Sequence, residues 1–195
     1  MPSPTSADQP TALAELMGII VNNGVRYPTS VVKKLHFAQG TPYETVLERS
    51  SQTGERVMEP AVARLLRIVL AEVVEKGTAQ RVKGAFVQAH DAAVVIGGKT
   101  GSGDNRFETF TRSGGVRSSR VVNRTATFVF YCGDRYFGVL TAFVPGQEAD
   151  KYRFTSALPV TVLKLLAPTL MPRLYASAEQ KTDPIMAYQR RLSED

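Results

Sequence analysis

One short stretch of the sequence combines the residue types that could bind an anion or stabilise an oxyanion. Residues 93–104, AVVIGGKTGSGD, place one lysine and two hydroxyl groups among glycines. Because glycine lacks a Cβ, a ligand or another backbone can approach such a stretch closely. Lysine and hydroxyl donors beside that opening suit a negatively charged ligand or the oxygen of a reacting carbonyl. The sequence therefore predicts a site around Lys99, Thr100 and Ser102.

The residues before and within this stretch predict the elements that position it. The apolar run Ala93-Val94-Val95-Ile96 predicts a buried strand, and turn-forming residues from Gly101 to Asn105 predict that the strand ends there. A helix is predicted from Pro60 to Lys76, with Gly77 after its end. Its apolar stripe is wide enough to predict burial on much of the helix circumference.

The flanking regions predict further helices and strands. Residues 125–131 and 136–144 read as two strands of a hairpin, and a closing helix is predicted for residues 155–166. Two prolines, Pro168 and Pro172, are expected to fragment the end of that helix.

Near the N-terminus, the apolar spacing predicts a helix that ends at about Val21, with Gly24 in a left-handed conformation after it. Strand-like pieces are expected at Ser30–Val32 and Tyr43–Val46.

A phosphate-binding P-loop is one alternative for the lysine-bearing stretch. Gly98-Lys99-Thr100 matches the end of G-x-x-x-x-G-K-[ST], but Ala93 occupies the position of the first glycine. A P-loop must also lead into a helix, whereas turn-forming residues follow Thr100 here. Both features disfavour this alternative.

Three motifs resemble, in order, the C-terminal half of the transpeptidase domain of penicillin-binding proteins, and most closely its bifunctional class A type. They are LMGIIVNNGV at residues 16–25 with Pro28, VVEKGTA at residues 73–79, and GKTGS at residues 98–102. In that family a Lys-Thr-Gly motif lies on a strand that lines the active site. The resemblance covers most of residues 12–170. It implies an α+β fold with an antiparallel sheet and packed helices, as part of a serine β-lactamase/D,D-transpeptidase-like domain.

The resemblance also implies roles for the residues of the Lys-Thr-Gly strand. Lys99 and Ser102 would be catalytic: Lys99 would hold the hydrogen-bond network, and the Ser102 backbone N–H would be an oxyanion donor. Thr100, Gly101 and Ser102 would bind substrate, the two hydroxyls by contacting the carboxylate of a stem peptide or β-lactam. Gly101 would leave room for the ligand along the strand edge. The competing interpretation is a glycine-rich strand end with an exposed lysine.

The chain departs from the family pattern at the nucleophile. The family uses a serine in S-x-x-K and a second motif, S-x-N, both upstream of Lys-Thr-Gly. No S-x-N occurs in the chain, and its one S-x-x-K, Ser30-Val31-Val32-Lys33, follows the first helix in a β-branched context rather than opening a helix. We therefore expect that the nucleophile belongs to a missing N-terminal half of the domain.

The residue composition disfavours several other kinds of site. The chain has 195 residues, a formal net charge of +6, one cysteine (Cys132) and two histidines (His36 and His90), which disfavours an internal disulfide, a zinc site or a Ser-His-Asp triad. We expect no metal and no cofactor.

The N-terminus lacks the pattern of a signal peptide, and no apolar run reaches the roughly 18 residues of a membrane span. A membrane link is expected only through upstream segments outside this chain.

The basic stretch at residues 105–124 predicts a long loop and could suit an acidic polymer. A nucleic-acid partner is disfavoured, because no aromatic platform interleaves convincingly with the arginines.

The expectation is therefore a disordered segment at residues 1–10, the C-terminal part of a penicillin-binding transpeptidase domain at residues 11–175, and a polar tail at residues 176–195. Its function would be D,D-transpeptidation of peptidoglycan stem peptides, on the periplasmic or cell-envelope side of the inner membrane. The alternative is a non-catalytic binding or structural module that retains half of that fold.

Overall fold

The computed structural model describes residues 10–30, 32, 34–48, 53–87 and 94–179. In chain order the elements are α1 (Pro10–Val21), β1 (Val25–Arg26), β2 (Lys34–Phe37), β3 (Thr45–Glu48), β4 (Glu55–Arg56), α2 (Pro60–Glu75), β5 (Ile96–Phe110), β6 (Val116–Cys132), β7 (Tyr136–Pro145) and α3 (Ala157–Glu179). Short 3₁₀ turns follow α2 and β7. The fold is a mixture of helices and antiparallel sheet, as expected from the sequence.

Helix α1 ends where its residues predict. Gly24 has φ +88° and donates its N–H to the Ile19 carbonyl, which closes the helix. A side chain at Gly24 would meet the Met58 carbonyl oxygen at 2.0 Å, so glycine is required for this close approach. The Gly24 carbonyl in turn accepts the N–H groups of Val57 and Met58, and these bonds fix the chain just before α2.

Two small antiparallel sheets lie between α1 and α2. Strand β1 pairs with β4, and β2 pairs with β3. The expected strand at Ser30–Val32 is wrong, since Ser30 and Val32 lie in irregular backbone and β2 begins only at Lys34. The second piece, expected at Tyr43–Val46, lies two residues later as β3.

Helix α2 begins at Pro60 as predicted and ends at Glu75, one residue before the predicted end, but its predicted burial is wrong. Only Ala63 and Val74 are fully buried along its 16 residues. The pattern identified the apolar residues correctly, but their pairing with neighbouring elements is decided by the tertiary structure, which leaves most of the stripe exposed.

Strands β5, β6 and β7 form the main sheet in that order, and β5 pairs with β6 from Ile96↔Cys132 to Phe110↔Val116. The predicted turn at Gly101–Asn105 is wrong, and so is the predicted loop at residues 105–124. Both lie in a long β5–β6 ribbon that turns at residues 111–115. Cross-strand pairing stabilises the glycine-rich segment as a strand despite its low intrinsic preference.

Helices pack on both faces of the sheet. On one face, α3 buries Val160, Leu163 and Ala167 against Phe128 and Ile96. The end of α2 and the 3₁₀ turn after it join this cluster. On the other face, Met17 and Val21 of α1 pack on Tyr131. The two layers hold β5 firmly at its Ile96 end.

Helix α3 continues through both prolines, so the predicted fragmentation is wrong. Pro168 and Pro172 lie on its exposed side, where water can bind the carbonyls that lose an N–H partner. By length and composition alone, Ala157–Leu174 could also cross a membrane, contrary to the sequence expectation, and 22% of this segment is buried.

The boundaries predicted at both ends change in part. Pro10 begins α1 rather than ending a disordered segment, and α3 extends to Glu179, beyond the predicted start of the tail. Residues 1–9 and 180–195 lie outside the described residues.

Candidate functional site

Strand β5 carries the predicted site residues within its regular pairing with β6. Lys99 is opposite Val129, Thr100 opposite Phe128, and Ser102 opposite Ala126. Side chains alternate along a strand, so Lys99 is on one face while Thr100 and Ser102 share the other. The strand continues through Thr100 to Phe110 instead of leading directly into a helix, so the P-loop alternative is wrong.

The outer edge of β5 presents backbone groups around Ser102. In the described sheet, β5 pairs only with β6, and the Gly133 N–H donates to the Val95 carbonyl at the start of this ladder. Because inward and outward backbone groups alternate along an antiparallel strand, this bond places the N–H and C=O groups of Thr100 and Ser102 at the outer edge. An extended ligand could therefore approach the N–H of Ser102.

Lys99 bends around this edge. Its Nζ donates to the backbone carbonyl of Thr100 at 2.7 Å, which agrees with the outward direction of that carbonyl. The residue as a whole is exposed. A fixed positive charge thus lies beside the outer edge of the strand, where it can attract a carboxylate or stabilise an oxyanion.

The structure engages Thr100 differently from the sequence expectation. Thr100 is only 8% exposed, and its Oγ1 lies 2.6 Å from the Oγ1 of Thr78. Its hydroxyl is therefore directed to a neighbour in the fold rather than to solvent. The sequence analysis assigns no role to Thr78, although Gly77-Thr78-Ala79 is part of one of the three motifs that resemble the family. This motif after α2 is the signal that could have identified the contact.

Ser102 connects the strand to the start of α3. Its Oγ accepts the backbone N–H of Ser156 at 2.7 Å. A hydroxyl that accepts one hydrogen bond still has its own O–H to donate. The side chain can therefore hold the chain before α3 and bind an acceptor on a ligand at the same time.

The glycines of β5 have two different functions. At Gly98 a Cβ would lie 2.4 Å from the Val129 carbonyl oxygen and 2.6 Å from the Phe128 ring, so this glycine is required by packing. At Gly101 no other atom of the described structure lies within 4 Å of such a Cβ. The open space at Gly101 agrees with the expected room for a ligand.

A second cluster, missed by sequence reasoning, supports the Ser102 end of the site. Arg124 donates to both carboxylate oxygens of Asp104, at 2.9 and 3.1 Å, and also to the backbone carbonyl of Tyr152. This cluster links β5, β6 and the segment that leads to Ser156. The sequence signal is weak, because residues 105–124 predict a loop, whereas the β5–β6 register brings Asp104 opposite Arg124.

Other candidates from the sequence are not brought into this site. Ser30 is exposed and donates its hydroxyl to the Val32 carbonyl at 3.0 Å, while Lys33 lies outside the described residues. In the basic stretch, Arg124 is engaged with Asp104, and the Arg120 guanidinium lies 5.7 Å from the centre of the Phe107 ring. These arginines belong to a paired ribbon rather than to a loop.

Comparisons with known proteins identify the family. The sequence profile of the family described as Penicillin binding protein transpeptidase domain matches residues 9–118, more than half of the chain. The chain belongs to this family. Among curated proteins, it is 32% identical over 90 residues to penicillin-binding protein PbpB of Mycolicibacterium smegmatis, which covers 46% of this chain and 13% of that protein.

Solved structures support the same fold. Penicillin-binding protein A from Mycobacterium tuberculosis, solved as a ceftriaxone acyl-enzyme complex, matches with a TM-score of 0.52 and 22% identity, over 81% of this chain and 32% of that one. Penicillin-binding protein 3 from the same organism, complexed with aztreonam, matches with a TM-score of 0.50 and 20% identity, over 82% and 34%. The chain thus spans about a third of each of these structures.

Proposed function

We propose that this chain forms the strand wall of the acyl-transfer site of a penicillin-binding D,D-transpeptidase, which cross-links peptidoglycan stem peptides. The observation that carries the proposal is the outer edge of β5, where the Lys99 ammonium group, the Ser102 N–H and the open space at Gly101 lie along one strand. The site would lie on the outer side of the cytoplasmic membrane.

The chemistry of acyl transfer explains these residue types. Attack on a carbonyl carbon moves negative charge onto the carbonyl oxygen, and a fixed N–H donor aimed at that oxygen lowers the barrier by about 3 kcal/mol. We assign this role to the Ser102 N–H. Lys99 attracts the anionic part of the substrate and orients the nucleophile's hydrogen bonds. The Ser102 hydroxyl binds the substrate carboxylate, and Thr100 supports the strand through Thr78 instead of contacting substrate by its buried hydroxyl.

The nucleophile would be the serine of an S-x-x-K motif that precedes this chain, together with a second motif, S-x-N. Ser30 is a poor substitute, because it lies in irregular backbone rather than at the start of a helix. The class A type expected from the motifs stays a prediction, and the relatives named above favour class B. The missing S-x-N keeps a second candidate function open for the chain by itself, a non-catalytic binding module.

A first experiment separates these roles. The 195-residue chain is incubated with a labelled penicillin and analysed by intact-mass spectrometry. We expect no covalent adduct. Stoichiometric acylation, particularly at Ser30, would overturn the proposal that the nucleophile lies elsewhere.

A second experiment tests the strand wall in a polypeptide in which S-x-x-K and S-x-N motifs precede this chain. Replacing a charge that acts in the transition state costs about 2–4 kcal/mol, so Lys99→Ala should slow acylation by tens- to several hundredfold. Arg117→Ala, on the exposed ribbon, removes the same charge as a control. Equal losses from both substitutions would point to general electrostatics and contradict the assignment of Lys99.

A further inference from the structure

The candidate site lies on a part of β5 that has few side chains to fix it in place. Between Ile96 and Asp104 the strand has four glycines, and only Lys99, Thr100 and Ser102 carry side chains. Glycine gives the backbone more conformational freedom than any other residue. The inner edge of this segment pairs with β6, whereas its outer edge has no partner strand in the described sheet. The position of the outer edge therefore depends strongly on the side chains that reach other elements.

Two of these three side chains form hydrogen bonds to neighbouring elements, and both use a hydroxyl group. The Thr100 Oγ1 lies 2.6 Å from the Thr78 Oγ1, just beyond the end of α2. The Ser102 Oγ accepts the N–H of Ser156, just before α3. Lys99 instead donates to a carbonyl of its own strand. In the described part of the chain, the glycine-rich segment is thus fixed to the surrounding helices at two points, and Thr78 supplies one of them.

Thr78 is itself held firmly by the turn that follows α2. The Val73 carbonyl accepts the N–H groups of Gly77 and Ala79, both at 3.1 Å. A Cβ at Gly77 would lie 2.8 Å from the same carbonyl oxygen, so this tight turn requires glycine. Ala79 is fully buried and belongs to the core between the sheet and α3. Because Thr78 lies between two fixed residues, its hydroxyl is a rigid reference point for Thr100.

A shift of Thr100 would move both functional groups of the outer edge. Its carbonyl accepts the Lys99 ammonium group at 2.7 Å, and the Ser102 N–H lies two positions further along the same edge. Groups that act on a reacting carbonyl must be held within about 0.5 Å of their productive position.

We propose that Thr78 is a positioning residue of the acyl-transfer site. Through Thr100 it holds the outer edge of β5, so that the Lys99 ammonium group and the Ser102 N–H keep the spacing that the reaction requires. The inference rests on the proposed function of β5 and assigns Thr78 no contact with the substrate.

Acylation by a labelled penicillin tests this role, in a polypeptide in which S-x-x-K and S-x-N motifs precede this chain. The rate constant is measured separately from the final amount of adduct and from the dissociation constant of the complex that forms before acylation. Thr78→Val keeps the shape of the side chain but removes its hydroxyl. We expect this variant to acylate about tenfold more slowly, with the other two quantities nearly unchanged.

Thr78→Ser separates positioning from a contribution to stability alone. It restores the hydroxyl and should acylate within about twofold of the unmodified polypeptide. A Thr78→Val variant that gives less adduct at the normal rate would show that the residue only stabilises the fold. That result, or a Thr78→Ser variant no faster than Thr78→Val, would overturn the proposal.

Thr109→Val is the matched control. The Thr109 hydroxyl also lies 2.6 Å from another hydroxyl, that of Ser118, but on the β5–β6 ribbon beyond the site. Its loss should change the acylation rate by no more than about twofold. Equal slowing by Thr78→Val and Thr109→Val would contradict a specific role for Thr78.

The other partner of the hydrogen bond gives a second test. Thr100→Val and the double variant Thr78→Val/Thr100→Val lack the same bond as Thr78→Val, so all three should slow acylation to the same extent. The double variant leaves neither hydroxyl without its partner and should fold even where a single variant does not. Losses that multiply in the double variant would show that the two residues act independently, which would overturn the proposal.

Two further measurements distinguish this inference from the proposed function. If Lys99→Ala slows acylation and Thr78→Val does not, only the role of Thr78 is wrong; if neither does, the acyl-transfer role of β5 is wrong as well. The 195-residue chain gives a measurement that needs no nucleophile. In Thr78→Val, the NMR order parameters of the Gly101 and Ser102 amides should fall, while those of β7 stay the same. Unchanged values at Gly101 and Ser102 would contradict the proposal.

Discussion

The hydroxyl oxygen of Ser102 lies 2.7 Å from the backbone nitrogen of Ser156, and this hydrogen bond joins the candidate site to the start of α3. The two residues are 54 positions apart in the chain. The same serine also presents its N–H at the outer edge of β5. One residue therefore connects the candidate site to α3, the helix that packs on the Phe128 face of the sheet.

Removing the Ser102 hydroxyl should loosen the start of α3. We expect Ser102→Ala to increase the rate of amide hydrogen exchange at Ser156, and to lower the free energy of unfolding by about 1 kcal/mol or less, since the bond is exposed. Ser102→Thr keeps the hydroxyl and should preserve the protection. NMR measures the amide exchange rate of Ser156 in each variant. An unchanged rate in Ser102→Ala would mean that the Ser102 hydroxyl does not protect this amide in solution.

The Asp104–Arg124 pair should contribute more to stability than the other arginines of the ribbon. Both side chains are partly buried, so Arg124→Ala leaves a carboxylate without its bidentate partner and frees the Tyr152 carbonyl. We expect a loss of about 1–3 kcal/mol in the free energy of unfolding, measured with urea. Arg120→Ala removes an exposed arginine and should cost less than about 1 kcal/mol. Similar losses for both variants would argue against a specific Asp104 contact.

Replacement by alanine should damage one glycine position of β5 and leave another nearly unaffected. Gly98→Ala places a methyl group against the Val129 carbonyl oxygen and the Phe128 ring, and should destabilise the fold by about 1–3 kcal/mol. Gly101→Ala points into open space and should change the free energy of unfolding by no more than about 0.5 kcal/mol. Urea unfolding of the pair checks the prediction, which fails if Gly101→Ala is the more damaging change.

Burial raises the pKa of the Cys132 thiol from 9.0 to about 11. Between these values the unfolded chain loses the thiol proton while the folded chain keeps it, so this group's contribution to stability is complete below pH 9 and is lost as the pH rises toward 11. By pH 10 the loss should be roughly 1 kcal/mol. The difference in unfolding free energy between the wild type and Cys132→Ala, measured with urea at pH 8 and pH 10, should shrink accordingly. A difference that does not change with pH would show that the thiol keeps an ordinary pKa in the fold.

The sequence determined the types of its elements where local chemistry is strong. Pro60 and Gly77 bracket α2, and Gly24 ends the first helical region, because proline and glycine act on the backbone wherever they stand. The motif around Lys99 indicated the family because it depends only on the types and order of its residues, which the sequence gives directly.

The tertiary structure decided what those residues contact. Glycine and serine after Lys99 favour a turn in isolation, but pairing with β6 makes them a strand and sets the direction in which the Ser102 N–H points. The contacts of Thr78 with Thr100 and of Asp104 with Arg124 join residues about 20 positions apart through strand register and packing. Periodicity showed that α2 has an apolar stripe. The stripe is exposed because the other side of the helix packs against Tyr131. A helix pattern specifies an apolar face but not the element that covers it.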